Sequence, residues 1–141
     1  MIMKSSSLAD IYNLQMNPEN LLFTLVVGAS SNPERYSYKA IKQLNAHGYP
    51  VLAFGLKNET VDGIEIQTHL QFSNPIDTIT MYVGPDRQQS LIPELLKLHP
   101  RRIIFNPGTE NPSFIQQAQQ QGIIIEIACT LVLLSTGQYD A

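Results

Sequence analysis

Apolar residues fall along this chain in short blocks separated by polar, turn-forming stretches, and two spacings alternate. Residues 22–27, 51–54, 77–83, 102–105 and 123–127 are compact runs rich in Val, Ile, Leu and Phe. Runs of that length and continuity predict strands covered on both faces. Between them the spacing turns helical. Tyr38, Ile41, Leu44 and Asn45 share one face of a helix that His47-Gly48 closes. Asp86 reads as the N-cap of a helix running to about residue 98, which Pro93 kinks or divides before the stop at His99-Pro100. Asn111 followed by Pro112 is an N-cap and N1 pair, opening a Gln-rich helix to Gln121 with Gly122 as its stop. The segment 55–63 is rich in turn formers, residues 61–66 suggest a tight turn with a short extended piece, and residues 68–72 a brief helix or turn.

Strands alternating with helices through short turns predict an α/β protein with a doubly wound, Rossmann-like parallel sheet in three α/β/α layers. One domain over residues 21–141 accounts for it. Residues 1–20, with apolar positions at Leu8, Ile11, Tyr12 and Leu14 ahead of Pro18, are expected to form an N-terminal extension or short helix. The first strand should lie centrally, with the loops after Val27 and Val83 flanking a crevice at the carboxyl ends of the strands. The tail 130–137 is apolar enough to pack back on the domain or to build a dimer contact.

Composition narrows the function classes. The 141 residues, 43% of them hydrophobic, suffice for a single core. A net charge of −3 disfavours a nucleic-acid binder, which would carry a basic face. No apolar run approaches the roughly 20 residues that span a bilayer, and the N-terminal stretch lacks the apolar core of a signal peptide. The one cysteine, Cys129, cannot pair within the chain, so a cytoplasmic setting is expected.

The candidate chemistry centres on Gly28-Ala29-Ser30-Ser31, where the first strand gives way to a small, polar loop and then to a helix starting near Ser37. Such a corner presents backbone N–H groups to anions. Gly28 would make the turn, Ala29 and Ser30 would keep bulk away, and Ser30, Ser31 and Ser37 would add hydroxyl donors, with Arg35 nearby. The loop is not a G-x-G-x-x-G fingerprint, since the second and third glycine positions hold Ser30 and Pro33. An ordinary strand–loop–helix corner is the competing reading. Lys57 stands just beyond the second strand, where an NAD enzyme would carry an acid. It suits a ribose phosphate, either the 3′-phosphate of CoA or the 2′-phosphate of NADP, or it is a solvated loop lysine. The turn Val83-Gly84-Pro85 flanks the other side of the crevice. Asn106-Pro107-Gly108 either offers an amide to a ligand or is a plain turn. Cys129 is either a small packing residue or a thiol at the ligand edge. His47, His69 and His99 lack ligand spacing, and no metal site is expected.

Val27-Gly28-Ala29-Ser30, Asn32-Pro33-Glu34-Arg35 with Ser37-Tyr38, His47-Gly48-Tyr49-Pro50-Val51, Val61-Asp62-Gly63 and Pro75-Ile76-Asp77 together resemble the small stand-alone CoA-binding domain proteins. These are similar to the nucleotide-binding domain of the succinyl-CoA synthetase α-subunit. The resemblance covers roughly residues 22–129. It implies a CoA site across the first loop and the neighbouring strand ends, with Gly28, Ala29, Ser30 and Ser37 on the phosphates. The chain departs from the family pattern at Gly55-Leu56, Asn106-Pro107-Gly108 and Ile127-Ala128, so the likeness bears on the phosphate end more than on the pantetheine end. The second domain that carries the synthetase's catalytic histidine has no counterpart here. The expected function is a non-catalytic module that binds coenzyme A or acyl-CoA, with a homodimer or an unknown protein partner as the expected assembly. The alternatives are an NADP-linked oxidoreductase or other small nucleotide-dependent enzyme, and an interaction domain with a vestigial pocket.

Overall fold

The computed structural model describes residues 22–140, so the expected extension over residues 1–20 lies outside the described residues. Seven strands form one sheet: β1 (Phe23–Ala29), β2 (Val51–Gly55), β3 (Thr60–Val61), β4 (Ile64–Gln67), β5 (Ile76–Met81), β6 (Arg102–Phe105) and β7 (Ile124–Ile127). Their order is β3-β4-β2-β1-β5-β6-β7. All neighbours run parallel except β3 and β4, a hairpin closed by Asp62-Gly63, a residue pair favoured in two-residue turns. The chain moves outward from β1 to β2 on one side and returns to β5 on the other. The switch point therefore lies between the loops that follow β1 and β5.

Among the described residues five helices cover the sheet: α1 (Tyr36–Ala46), α2 (Pro85–Gln88), α3 (Ile92–Leu96), α4 (Pro112–Gln120) and α5 (Thr130–Ser135). Alternation along the strands divides the core in two. Leu25, Val27, Ile79, Met81, Ile103 and Phe105 point to one face, beneath Ile92 and Leu95 of α3 and Phe114 and Ala118 of α4. Val26, Ala53 and Ile104 point to the other, beneath Ile41 and Leu44 of α1 and Leu133 and Leu134 of α5. Each of these large side chains removed from water contributes about 1.5–3 kcal/mol, so both layers are needed to hold the sheet. The tail has packed back on the domain, with α5 against α1.

Four local expectations are refined. The first strand extends to Ala29, because Ala29 still pairs with Gly55 across a register shift after Val27. The helix after β5 begins at Pro85 with Gly84 as its N-cap, so Asp86 sits in the first turn and caps nothing. Proline's fixed φ suits the first helical position, and this moves the start back by one residue. Pro93 belongs to a separate short helix, α3, so the segment is divided. Residues 68–72 form an irregular bend without a helix. Asn111 does cap α4, accepting from the Phe114 N–H at 3.3 Å.

A charge inside the predicted fourth run also finds its reason. Arg102 is 3% exposed. It donates to Glu126 Oε1 at 2.7 Å, to the Tyr139 carbonyl at 2.7 Å and to Thr78 Oγ1 at 3.1 Å. A buried guanidinium is tolerated when its donors are paired in this way.

Candidate functional site

A cleft of about 750 Å³ opens over the carboxyl ends of β1, β2, β5 and β6. Its floor is made by the end of β1. Gly28 has φ +93°, and a Cβ there would stand 2.8 Å from Val83 Cγ2 and 3.0 Å from the Tyr82 carbonyl carbon. Only glycine allows both that backbone and that approach. Gly55 answers it on the other side, where a Cβ would strike the Ala29 carbonyl oxygen. The two glycines let β1 run between its neighbours to the very lip of the cleft.

The loop beyond folds on its own side chains. Ser30 Oγ accepts from the Asn32 N–H at 3.0 Å, and Asn32 Oδ1 accepts from the Glu34 N–H at 3.0 Å. The chain then enters α1 through Arg35, an N-cap residue whose side chain caps nothing. The first N–H groups of an 11-residue helix are thus left for whatever occupies the cleft. Ser37, in its first turn, is 4% exposed and lines the cleft.

Charge is gathered around this opening. Arg35, Lys57 and Arg87 line the cleft, together with Glu34 and Glu59. None of the three cations forms an ion pair among the described residues. Ser31 Oγ donates to Glu59 Oε1 at 2.6 Å, linking the loops after β1 and β2 across the mouth. Tyr82 closes the inner wall. Burial pushes its phenol up to about 12, with the nearby Thr80 and Thr130 hydroxyls pulling the other way and Cys129 adding to the rise. Its buried oxygen has no hydrogen-bond partner among the described residues.

Of the residues singled out from the sequence, Gly28, Ala29, Ser30, Ser31, Arg35, Ser37, Lys57 and Pro107 line the cleft. The others stand behind or beside it. Val83 packs under Gly28, Gly84 is the N-cap of α2 and Pro85 its first residue. Gly108 sits in the exposed turn, its N–H donating to Glu110 Oε1 at 2.8 Å. Asn106 is buried and fully engaged. It donates to Thr80 Oγ1 and the Met81 carbonyl, both at 2.8 Å, and accepts from the Thr130 N–H at 2.8 Å. That side chain joins β5, β6 and α5, and has no donor left over for a ligand. Cys129 is the half-buried N-cap residue of α5.

Arg87, Glu59, Tyr82 and Thr109 reach the cleft without any local signal in the sequence. Buried Gln88 ties the segments after β5 and β6 together. Its amide donates to the Val83 carbonyl at 2.7 Å and the Thr109 carbonyl at 2.8 Å, and accepts from Asn111 at 3.0 Å. Among the described residues no cluster of three or more His, Cys, Asp or Glu side chains could hold a metal ion, and no helix is long and apolar enough to cross a membrane.

Comparison with known proteins bears on the family and the fold. A family model described as a CoA binding domain matches residues 24–135. The fold is shared with the crystal structure of an uncharacterized protein at 38% identity and a TM-score of 0.80, over 84% of this chain and 98% of that one. A hypothetical protein from Pyrococcus horikoshii OT3 is similar at 25% identity and a TM-score of 0.73, over 89% of this chain and 87% of its own. A protein from Thermus thermophilus shares the fold at 24% identity and a TM-score of 0.75, over 84% and 90%. No curated protein matches the chain.

Proposed function

This chain belongs to the CoA binding domain family, and from that premise we propose that it is a non-catalytic module that binds coenzyme A or an acyl-CoA in the cleft over β1. The observation that carries this reading is the set of three cations, without an ion pair among the described residues, that line the cleft beside the start of α1, where the N-cap side chain makes no bond. CoA brings a pyrophosphate and a separate ribose phosphate, and the cleft offers a place for each. The pyrophosphate lies against the Gly28–Ser30 loop and the first N–H groups of α1, with Ser37 and Arg35 as further donors. Lys57, on the loop after β2, takes the 3′-phosphate, and Arg87 approaches the phosphates from the opposite wall. The pantetheine arm leaves past Pro107 and Thr109. A volume of about 750 Å³ suits a ligand of this class.

The same cleft also supports the reading as an NADP-linked enzyme, since Lys57 would serve a 2′-phosphate equally. Against it, Gly28 is followed by Ser30 and Pro33 where a dinucleotide loop carries glycines. A thermal-shift series separates the two. CoA at 100 times its dissociation constant should add about 2.7 kcal/mol to stability, and NADP at the same concentration much less. A larger shift with NADP and none with CoA overturns the proposal.

A further inference from the structure

Beyond Lys57, the loop after β2 sends a second side chain into the cleft, and its charge has the wrong sign for a phosphate. Glu59 lines the cleft and accepts from Ser31 at 2.6 Å. Asn58, between them, turns away. Its amide donates to Glu65 Oε2 at 2.8 Å and to the Ile66 carbonyl at 3.0 Å. Lys57 and Glu59 therefore face the cleft together, a cation and an anion on the loop that follows the strand next to β1. In folds of this topology that position meets the ribose of a bound nucleotide.

A ribose carries its 2′ and 3′ substituents on adjacent carbons. An ammonium attracts a phosphate. A carboxylate accepts a hydrogen bond from a hydroxyl and repels a phosphate, and the repulsion grows as water leaves the site. We infer that Glu59 is a specificity-determining residue: beside Lys57 it selects a ribose with a 3′-phosphate and a free 2′-hydroxyl, and rejects one with a 2′-phosphate. Ser31 fixes the carboxylate for that task by occupying one of its oxygens, leaving the other for the ligand. The inference rests on the CoA reading of the cleft and adds to it the chemical reason why NADP, which Lys57 alone would accept, is refused.

The test is titration calorimetry of the full chain with CoA and with NADP, before and after Glu59→Gln. Glutamine keeps an acceptor and can still meet Ser31, and Glu59 is exposed, so the fold is preserved. The ratio of the NADP to the CoA dissociation constant should fall at least tenfold, mainly because NADP binds more tightly. A chain that binds CoA but whose ratio stays within threefold after the substitution overturns the inference alone. Failure of the unsubstituted chain to bind CoA overturns the reading beneath it, and the inference falls with it. Glu59→Lys extends the series: it should raise NADP affinity further, and a loss of NADP affinity there, with CoA binding retained, also counts against the role given to Glu59.

Discussion

Ser30 shows how one side chain separates folding from binding. Its Oγ accepts from the Asn32 N–H at 3.0 Å, a local turn that an aspartate carboxylate makes equally well. Ser30→Asp therefore keeps the loop while placing a negative charge at the lip where the pyrophosphate is proposed. CoA affinity should fall more than tenfold, about 1.4 kcal/mol, with the melting temperature of the free protein unchanged. Calorimetry on the folded variant decides it, and undiminished binding would move the phosphate site off this loop. Residues of this kind were legible in the sequence because the break from an apolar run to Gly28-Ala29-Ser30-Ser31 is a local signal. Glu59 and Arg87 were not. Glu59 lies on a loop with no periodicity and Arg87 in a single-turn helix, and only the meeting of the β1, β2 and β5 ends brings them to one opening.

At the scale of elements, hydrophobic pattern located most strands and helices, since each buried run had to be covered on both faces. It failed where pairing or backbone chemistry outranks pattern. β1 runs on to Ala29 because Gly55 leaves room beside it, and α2 starts at Pro85 because proline suits the first helical position better than Asp86 suits the cap. The role of Asn106 was hidden for another reason. An Asn-Pro-Gly stretch reads as a turn, and nothing local says that the asparagine reaches β5 and α5. Removing it in Asn106→Ala leaves the Thr130 N–H and the Met81 carbonyl without that partner, at about 1–3 kcal/mol for each buried group left unpaired. Urea unfolding should show a loss of at least about 2 kcal/mol. A loss below about 0.5 kcal/mol would mean that neighbouring groups or water replace it.

The whole molecule is organised with its cleft and its closing contacts at opposite ends of the sheet. The C-terminal segment crosses the amino ends of the strands, where Tyr139 is 3% exposed. Its hydroxyl bonds to Thr24 of β1, its carbonyl accepts from Arg102 of β6, and its ring lies 4.5 Å from the Arg102 guanidinium. The Tyr49 ring meets it edge-on at 4.7 Å, just before β2. One residue thus ties β1 and β6 to the turn that leads into β2, roughly five residues, or on the order of 15 Å, from the cleft. Tyr139→Ala should lower stability by about 3–5 kcal/mol, the range for deleting a large buried aromatic, out of a total of about 5–15 kcal/mol for a native domain. Binding should be spared, because a parallel sheet held by two cores keeps the carboxyl ends of β1, β2 and β5 in register without that contact. The measurement is a urea midpoint paired with a CoA dissociation constant on the same variant, taken well below its melting temperature. A lowered midpoint with the dissociation constant within twofold is the expected pair. A change in affinity of more than fivefold in protein that is still folded would show that the two ends of the sheet are coupled, and that the tail helps to shape the cleft.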